Sequence, residues 1–174
     1  MLKLSNTLTN VAVMSLRTGG QVGIATEMII NPNNLKIEGW HVQDKFDNNK
    51  LILVSGEVRE VAAQGLIIND HEVLSEAEEL VRLKPIMEIN FDLIGKQVVS
   101  QNGKKYGKVS DFAVETESLL IKKLYAAPPI LKSISGNSAS IDRTQIVEIT
   151  NSRIIIEDAL EKAGSVAASP SLAN

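Results

Sequence analysis

The chain has 174 residues, of which 44% are hydrophobic and 22% charged, and its formal net charge is −3. That length holds one ordinary domain or two small ones. There is no cysteine, which excludes disulfides, zinc–thiolate sites and thiol nucleophiles. The acidic excess lies in the first 85 residues and the remainder is neutral, so neither part has the basic surplus that dominates nucleic-acid affinity.

Aromatic residues make up only 3% of the chain. The core must therefore be built from Ile, Leu and Val, and the β-branched members favour strands. The opening MLKLSNTLTNVAVMSLRTGG has one lysine and then polar residues where a signal peptide carries its apolar stretch. No apolar run approaches the roughly 20 residues of a spanning helix. A cytoplasmic protein without a membrane span is the expectation.

In chain order, Val11 and Val13 alternate with smaller or polar neighbours and predict a half-buried strand. A glycine turn, RTGGQVG, follows at 17–23. VGIATEMII and LKIEGWHV then flank NPNN at 31–34, a turn with explicit Pro and Asn chemistry, so a long hairpin is predicted. KLILVS (50–55) reads as a shorter strand. VREV and GLIIND, within 58–70, read as two more around a polar turn. SEAEELVRL (75–83) has Ser75 three residues before Glu78, a capping-box pattern. It predicts a linker helix stopped by Pro85.

The same order of signals then recurs. LIGKQVVS (93–100) matches LTNVAVMS (8–15) at an offset of 85 residues. Gly107 matches Gly23, Asp111 matches Glu27, Leu119 matches Leu35 and Leu124 matches Trp40, all at an offset of 84. IVEITNSRIIIED (146–158) matches VREVAAQGLIIND (58–70) at an offset of 88. Both drifts fall in loops, where insertions are tolerated. In the second stretch Asn102-Gly103 is a strong hairpin signal, Glu115 and Glu117 sit at the long hairpin's tip, and SASID (138–142) is the shorter strand. EDALEKAG (157–164) predicts a short C-terminal helix ended by Gly164. The last residues, SVAASPSLAN, read as a disordered tail.

The predicted fold class is mainly all-β: two tandem small antiparallel β-barrels of five or six strands each, closed to hide their edges. The expected boundaries are 1–74 for the first repeat, 75–85 for the linker helix, 86–162 for the second repeat and 163–174 for the tail. Residues 8–70 and 93–158 are expected to superpose, and the two repeats to pack as an intramolecular pseudo-dimer.

The residues LIGKQVVSQNGKKYGKVSDFAVETESLLIKKLYA (93–126), with RTQIVEITNSRIIIED (143–158), resemble the PRC-barrel family. Its barrel occurs in the photosynthetic reaction-centre H subunit and at the C-terminus of a ribosome maturation factor. The family's G-x-V-x-D stretch appears as GKVSD at 107–111. The first copy departs from it, with GIATE at 23–27 and Asn10 where Gly95 begins the second unit. Together the two copies cover about residues 4–162. The resemblance implies an interaction or adaptor barrel without a common catalytic site.

The remaining candidates carry no reaction. Glu27 and Asp111 occupy equivalent positions and are expected to satisfy backbone donors in their own copies. His41 and His71 lie far apart in sequence and have no carboxylate at metal-site spacing, so no metal is expected. Trp40 is expected in the core, with an interface anchor as the other reading. GGQVG lacks the Lys-Ser/Thr of a phosphate loop and precedes a strand, so no cofactor is expected. Lys104, Lys105, Lys108, Lys122 and Lys123 form a modest basic surface broken by Asp111, Glu115 and Glu117, read as a solvated face with edge-protecting lysines, with a patch for RNA or an anionic partner as the other reading.

The segment AAPPILKSISGNSAS (126–140) is the longest irregular stretch and differs most between the copies. Its apolar residues Ile130, Leu131 and Ile134 either tuck onto the barrel or offer a docking strip, and with the adjacent Lys122 and Lys123 they are the expected partner-binding residues. The function expected is that of a non-catalytic cytosolic adaptor binding another protein. The alternative is an accessory role in ribosome maturation or RNA processing, through ribosomal or RNA contacts.

Overall fold

The computed structural model describes residues 1–128 and 138–158. Ile130, Leu131 and Ile134, the expected tail over 163–174, and all of the expected C-terminal helix beyond Asp158 lie outside the described residues.

The first part holds β1 (Leu2–Leu4), β2 (Val11–Ser15), β3 (Gln21–Asn31), β4 (Lys36–Asp44), β5 (Lys50–Val54), β6 (Val58–Val61) and β7 (Gly65–Ile68). A single α-helix follows among the described residues, α1 (Lys84–Ile89). The second part holds β8 (Gln97–Ser100), β9 (Lys105–Glu115), β10 (Ile121–Ala127), β11 (Ala139–Asp142), β12 (Ile146–Ile149) and β13 (Arg153–Ile156). One sheet has the order β5-β4-β3-β2-β7-β6, and the other has β11-β10-β9-β8-β13-β12 with β1 added against β9. Shifting every number by six turns the first order into the second.

The pairing registers agree residue by residue. Ala25↔Val42, Glu27↔His41, Met28↔Trp40 and Ile30↔Ile37 in the first hairpin correspond to Val109↔Ala126, Asp111↔Tyr125, Phe112↔Leu124 and Val114↔Ile121 in the second. Both hairpins carry their register shifts at the same two places. Val13↔Leu66 in one sheet corresponds to Val98↔Ile154 in the other. The backbone repeats its exceptions as well. Asn10 has φ 56° where Gly95 has φ 84°. Asn, alongside Gly, is one of the residues that tolerate this left-handed conformation.

Gly23 and Gly107 have one steric cause. A Cβ on Gly23 would lie 2.9 Å from the carbonyl oxygen of Gln43, and one on Gly107 would lie 2.0 Å from that of Ala127. At each position the neighbouring strand comes too close for a side chain.

Three expectations need correction. The sheets are mixed, because β2 pairs with β7 and β8 with β13 in parallel. The hairpin formed by each sheet's last two strands folds back onto the free edge of its first, and strands of four residues carry no pattern that tells the two senses apart. Neither sheet closes by a ladder, since β5 and β6, like β11 and β12, end their sheets. A 3-10 turn joins each pair, at Ser55–Glu57 and Arg143–Gln145. Finally, residues 75–83 are not a helix. Ser75 forms a β-bridge with Ile52, Ala77–Glu79 is a 3-10 turn, and Pro85 lies in the first turn of α1. Proline suits that position because its missing N–H has no helical partner there and its φ is already helical. Pro85 thus starts the helix it was expected to stop.

The linker packs on the outer face of the first sheet, where Leu83, Leu80, Ile86 and Met87 meet Ile29 and Ile52. The main core runs through both sheets. Val13, Leu35, Ile37, Trp40 and Leu66 form one cluster with their counterparts Val98, Leu119, Ile121, Leu124 and Ile154. Trp40 is fully buried, and its Nε1 donates to the Leu8 carbonyl at 3.0 Å, so the core reading of Trp40 is the one observed.

The two hairpin turns meet. The Ile37 N–H donates to the Leu119 carbonyl and the Ile121 N–H donates to the Leu35 carbonyl, each at 2.9 Å. Lys36 and Leu120 form the antiparallel bridge between them. Both leucines have positive φ, 49° and 56°, and both are buried. A leucine accepts this conformation only where its surroundings hold it. Leu35→Ala and Leu119→Ala are each expected to cost about 2–4 kcal/mol in urea denaturation, with similar values. A cost below about 1 kcal/mol at either site would show that the turn contact contributes little.

Candidate functional site

Glu27 and Asp111 hold equivalent places on β3 and β9 but differ in surroundings. Asp111 Oδ1 accepts from the Ser5 hydroxyl, the Ser5 N–H at 3.2 Å and the Phe112 N–H at 2.7 Å. Ser5 follows β1, which pairs Leu2 with Glu115, Lys3 with Val114 and Leu4 with Ala113. Thr116 extends this contact by donating from its N–H and its hydroxyl to the Met1 carbonyl. The N-terminus is therefore zipped onto the second sheet. Glu27 is exposed and makes no hydrogen bond or ion pair among the described residues. The expectation that each carboxylate satisfies backbone donors in its own part holds for Asp111 in its bond from the Phe112 N–H, to which Ser5 adds two bonds from the N-terminal segment, and finds no counterpart at Glu27 among the described residues. No sequence signal marked β1, which is too short for alternation to register.

Three clefts lie where the parts meet. One of about 390 Å³ is lined by Ser5, Glu27, Met28, Phe91, Asp92 and Phe112, among others. A second, of about 550 Å³, lies between the turn of the second hairpin (Thr116, Glu117, Leu119) and β6. A third, of about 380 Å³, lies between the turn of the first hairpin (Pro32–Leu35) and β12. The last two are counterparts, because each sets one part's turn against the other part's sixth strand. None brings together the nucleophile, base and orienting group that covalent catalysis needs. Among the described residues no three of His, Cys, Asp and Glu cluster as metal ligands.

The two histidines stand apart. His41 lies opposite Glu27 across β3 and β4. His71 Nε2 sits 2.7 Å from Asp44 Oδ1, and its ring meets Phe46 edge-on with centroids 5.1 Å apart. Asp44 is 3% exposed. Burial pushes its carboxyl up, but hydrogen bonding at Asp47 and to His71 outweighs this and brings its pKa down to about 2.

Of the predicted partner residues, Lys122 and Lys123 lie on β10. Lys122 Nζ is 3.4 Å from Glu115 Oε2, and Lys123 pairs in register with Asp142. The Glu115 carboxyl is held below the usual range first by the Ser118 hydroxyl and then by Lys122. Asp142 is lowered first by the Thr144 N–H and hydroxyl, with Lys123 and Lys122 adding. The basic strip is thus partly neutralised by its own neighbours, which weakens it as a footprint for nucleic acid. Lys104 lies over the Tyr106 ring, 5.1 Å from its centre. No helix among the described residues is long and apolar enough to cross a membrane.

Residues 88–161 match the PRC-barrel domain, so a PRC-barrel domain occupies the second part of the chain. PRC-barrel domains are generally protein-interaction modules. A comparison with curated proteins finds no match.

The Asp44 site yields a test in acid. Its folded pKa lies below the ordinary 3.8, so it adds stability that is present above about pH 4 and lost as pH falls through about 2. Asp44→Asn is expected to lose about 2 kcal/mol at neutral pH. Its stability should also fall less steeply than that of the parent between about pH 4 and 2, as read by urea melts across pH. Equal slopes for the two proteins would show that Asp44 is not the group being titrated.

Proposed function

We propose that the chain is a tandem of two PRC-type units packed as an intramolecular pseudo-dimer, and that it serves in the cytoplasm as a non-catalytic adaptor for another protein. The observation that carries the reading is the reciprocal bonding of Leu35 with Ile121 and Leu119 with Ile37, which joins equivalent residues as a twofold dimer interface does. The shared strand order and register support the tandem, and the domain at 88–161 supports an interaction role. A covalent link between the units makes their contact intramolecular and so favours it.

Packing in this way consumes surfaces common to both units. What remains for a partner is what differs between them. The proposed contact is the 126–140 segment, with Ile130, Leu131 and Ile134 beside Lys122 and Lys123. Replacing the three apolar residues with Ser is expected to weaken partner association by about 1–2 kcal/mol for each central anchor, with little change in thermal stability. Affinity purification of parent and triple variant from native lysate, with quantitative mass spectrometry, checks this. Loss of one stoichiometric protein in the variant supports the reading. Its retention, or loss of the thermal transition itself, refutes the contact. Recovery of ribosomal proteins and rRNA in its place would move the function to ribosome maturation.

A further inference from the structure

The outer face of the first sheet carries a second apolar group, away from the linker. Ala12 and Met14 on β2, Ile24 on β3 and Ile67 on β7 share that face, because their neighbours Val13, Ala25, Leu66 and Ile68 point into the core. The registers set Ala12 against Ile24 and Met14 against Ile67. Leu16, just past β2, continues the row. Ile24 is 41% and Leu16 63% exposed, and Ala12, Met14 and Ile67 are half-buried. None of the five packs in either hydrophobic cluster of the described residues, and none lines the three clefts at the junction.

The second part serves as an internal control. It repeats these pairings with different residues. Gln97 pairs with Lys108 where Ala12 pairs with Ile24, and Gln101 stands where Leu16 does. Val99 and Ile155 keep the apolar pair. The same registers thus form with Gln and Lys in place of Ala12, Leu16 and Ile24. An exposed apolar surface that the fold does not require marks an interaction site.

The flanks of the patch carry opposite charges. Glu60 on β6 pairs in register with Ile67. On the other side, Lys45 follows β4 and its N–H donates to the Val22 carbonyl of β3, near the level of Met14. Both side chains are exposed, and neither has an ion-pair or hydrogen-bond partner among the described residues. β4 and β6 each lie two strands from β2, so the two charges stand at matching distances on either side of it.

We propose that this face binds the same face of a second copy of the chain, about a twofold axis running along β2. Pairing about that axis brings Lys45 of each copy over Glu60 of the other, with the apolar residues between. A twofold across the strands would set Lys45 over Lys45 and Glu60 over Glu60, which repel. Five apolar residues from each copy make a small interface, so a dissociation constant on the order of 10–100 μM is expected. The surface excludes the 126–140 segment and does not depend on the adaptor reading.

Sedimentation velocity of the full chain over a concentration series tests the proposal. A reversible monomer–dimer equilibrium is expected, and a monomer at every concentration up to about 1 mM overturns it. Ile24→Lys introduces the residue type that the second part carries at Lys108, so the fold should tolerate it. It should weaken the dimer by about tenfold or more. Lys45→Glu and Glu60→Lys should each weaken it by about tenfold and, combined in one chain, restore it. Urea melts of the same variants separate loss of the contact from loss of the fold. A dimer that Ile24→Lys leaves intact overturns the surface. A double variant that dimerises no better than the single ones overturns the axis.

Discussion

The contact on which the structure turns is the exchange of two backbone hydrogen bonds between the hairpin turns, Ile37 to Leu119 and Ile121 to Leu35. Each bond needs a leucine carbonyl aimed away from its own hairpin. The left-handed backbone at Leu35 and Leu119 supplies that direction. The conformation is costly for a branched side chain, and burial of both leucines in the shared core offsets it. The turn, the strain and the core thus support one another. Neither part has all three without the other.

Around this contact the two parts differ in how their outer faces are covered. In the first sheet that face carries Ile29, Ile52 and Val54, and the linker lies on it. The counterparts in the second sheet are Ala113, Ser140 and Asp142, a smaller and more polar set. A linker there would bury polar groups without gaining apolar contact. The second sheet instead gains β1 along an edge. The two parts share an interior and differ outside it.

The sequence made the interior legible and left the exterior obscure. The long hairpins could be read because the apolar residues Val109, Phe112 and Val114 give way at the polar ETES to Leu119, Ile121 and Leu124. Asn10 in place of Gly95 was readable as a departure, and its positive φ explains why Asn in particular stands there. β1 was not legible, because three residues cannot show a period and its partner lies more than a hundred positions away. The linker misled for a local reason. Ser75 and Glu78 form a helix-start pattern, but Ser75 is taken by a bridge to Ile52, and tertiary pairing outweighs a weak local preference. The inequality of Glu27 and Asp111 was equally hidden, since it depends on where Ser5 lands.

Through the exchanged turns the two parts are expected to unfold as one cooperative body. Hydrogen–deuterium exchange read by mass spectrometry across a urea series tests it most directly, with peptides from β2–β4 and from β8–β10 followed together. One midpoint is expected for both sets, because loss of either turn removes the other's carbonyl and half of the common core. Two separated midpoints, with β8–β10 protected while β2–β4 is open, would contradict it.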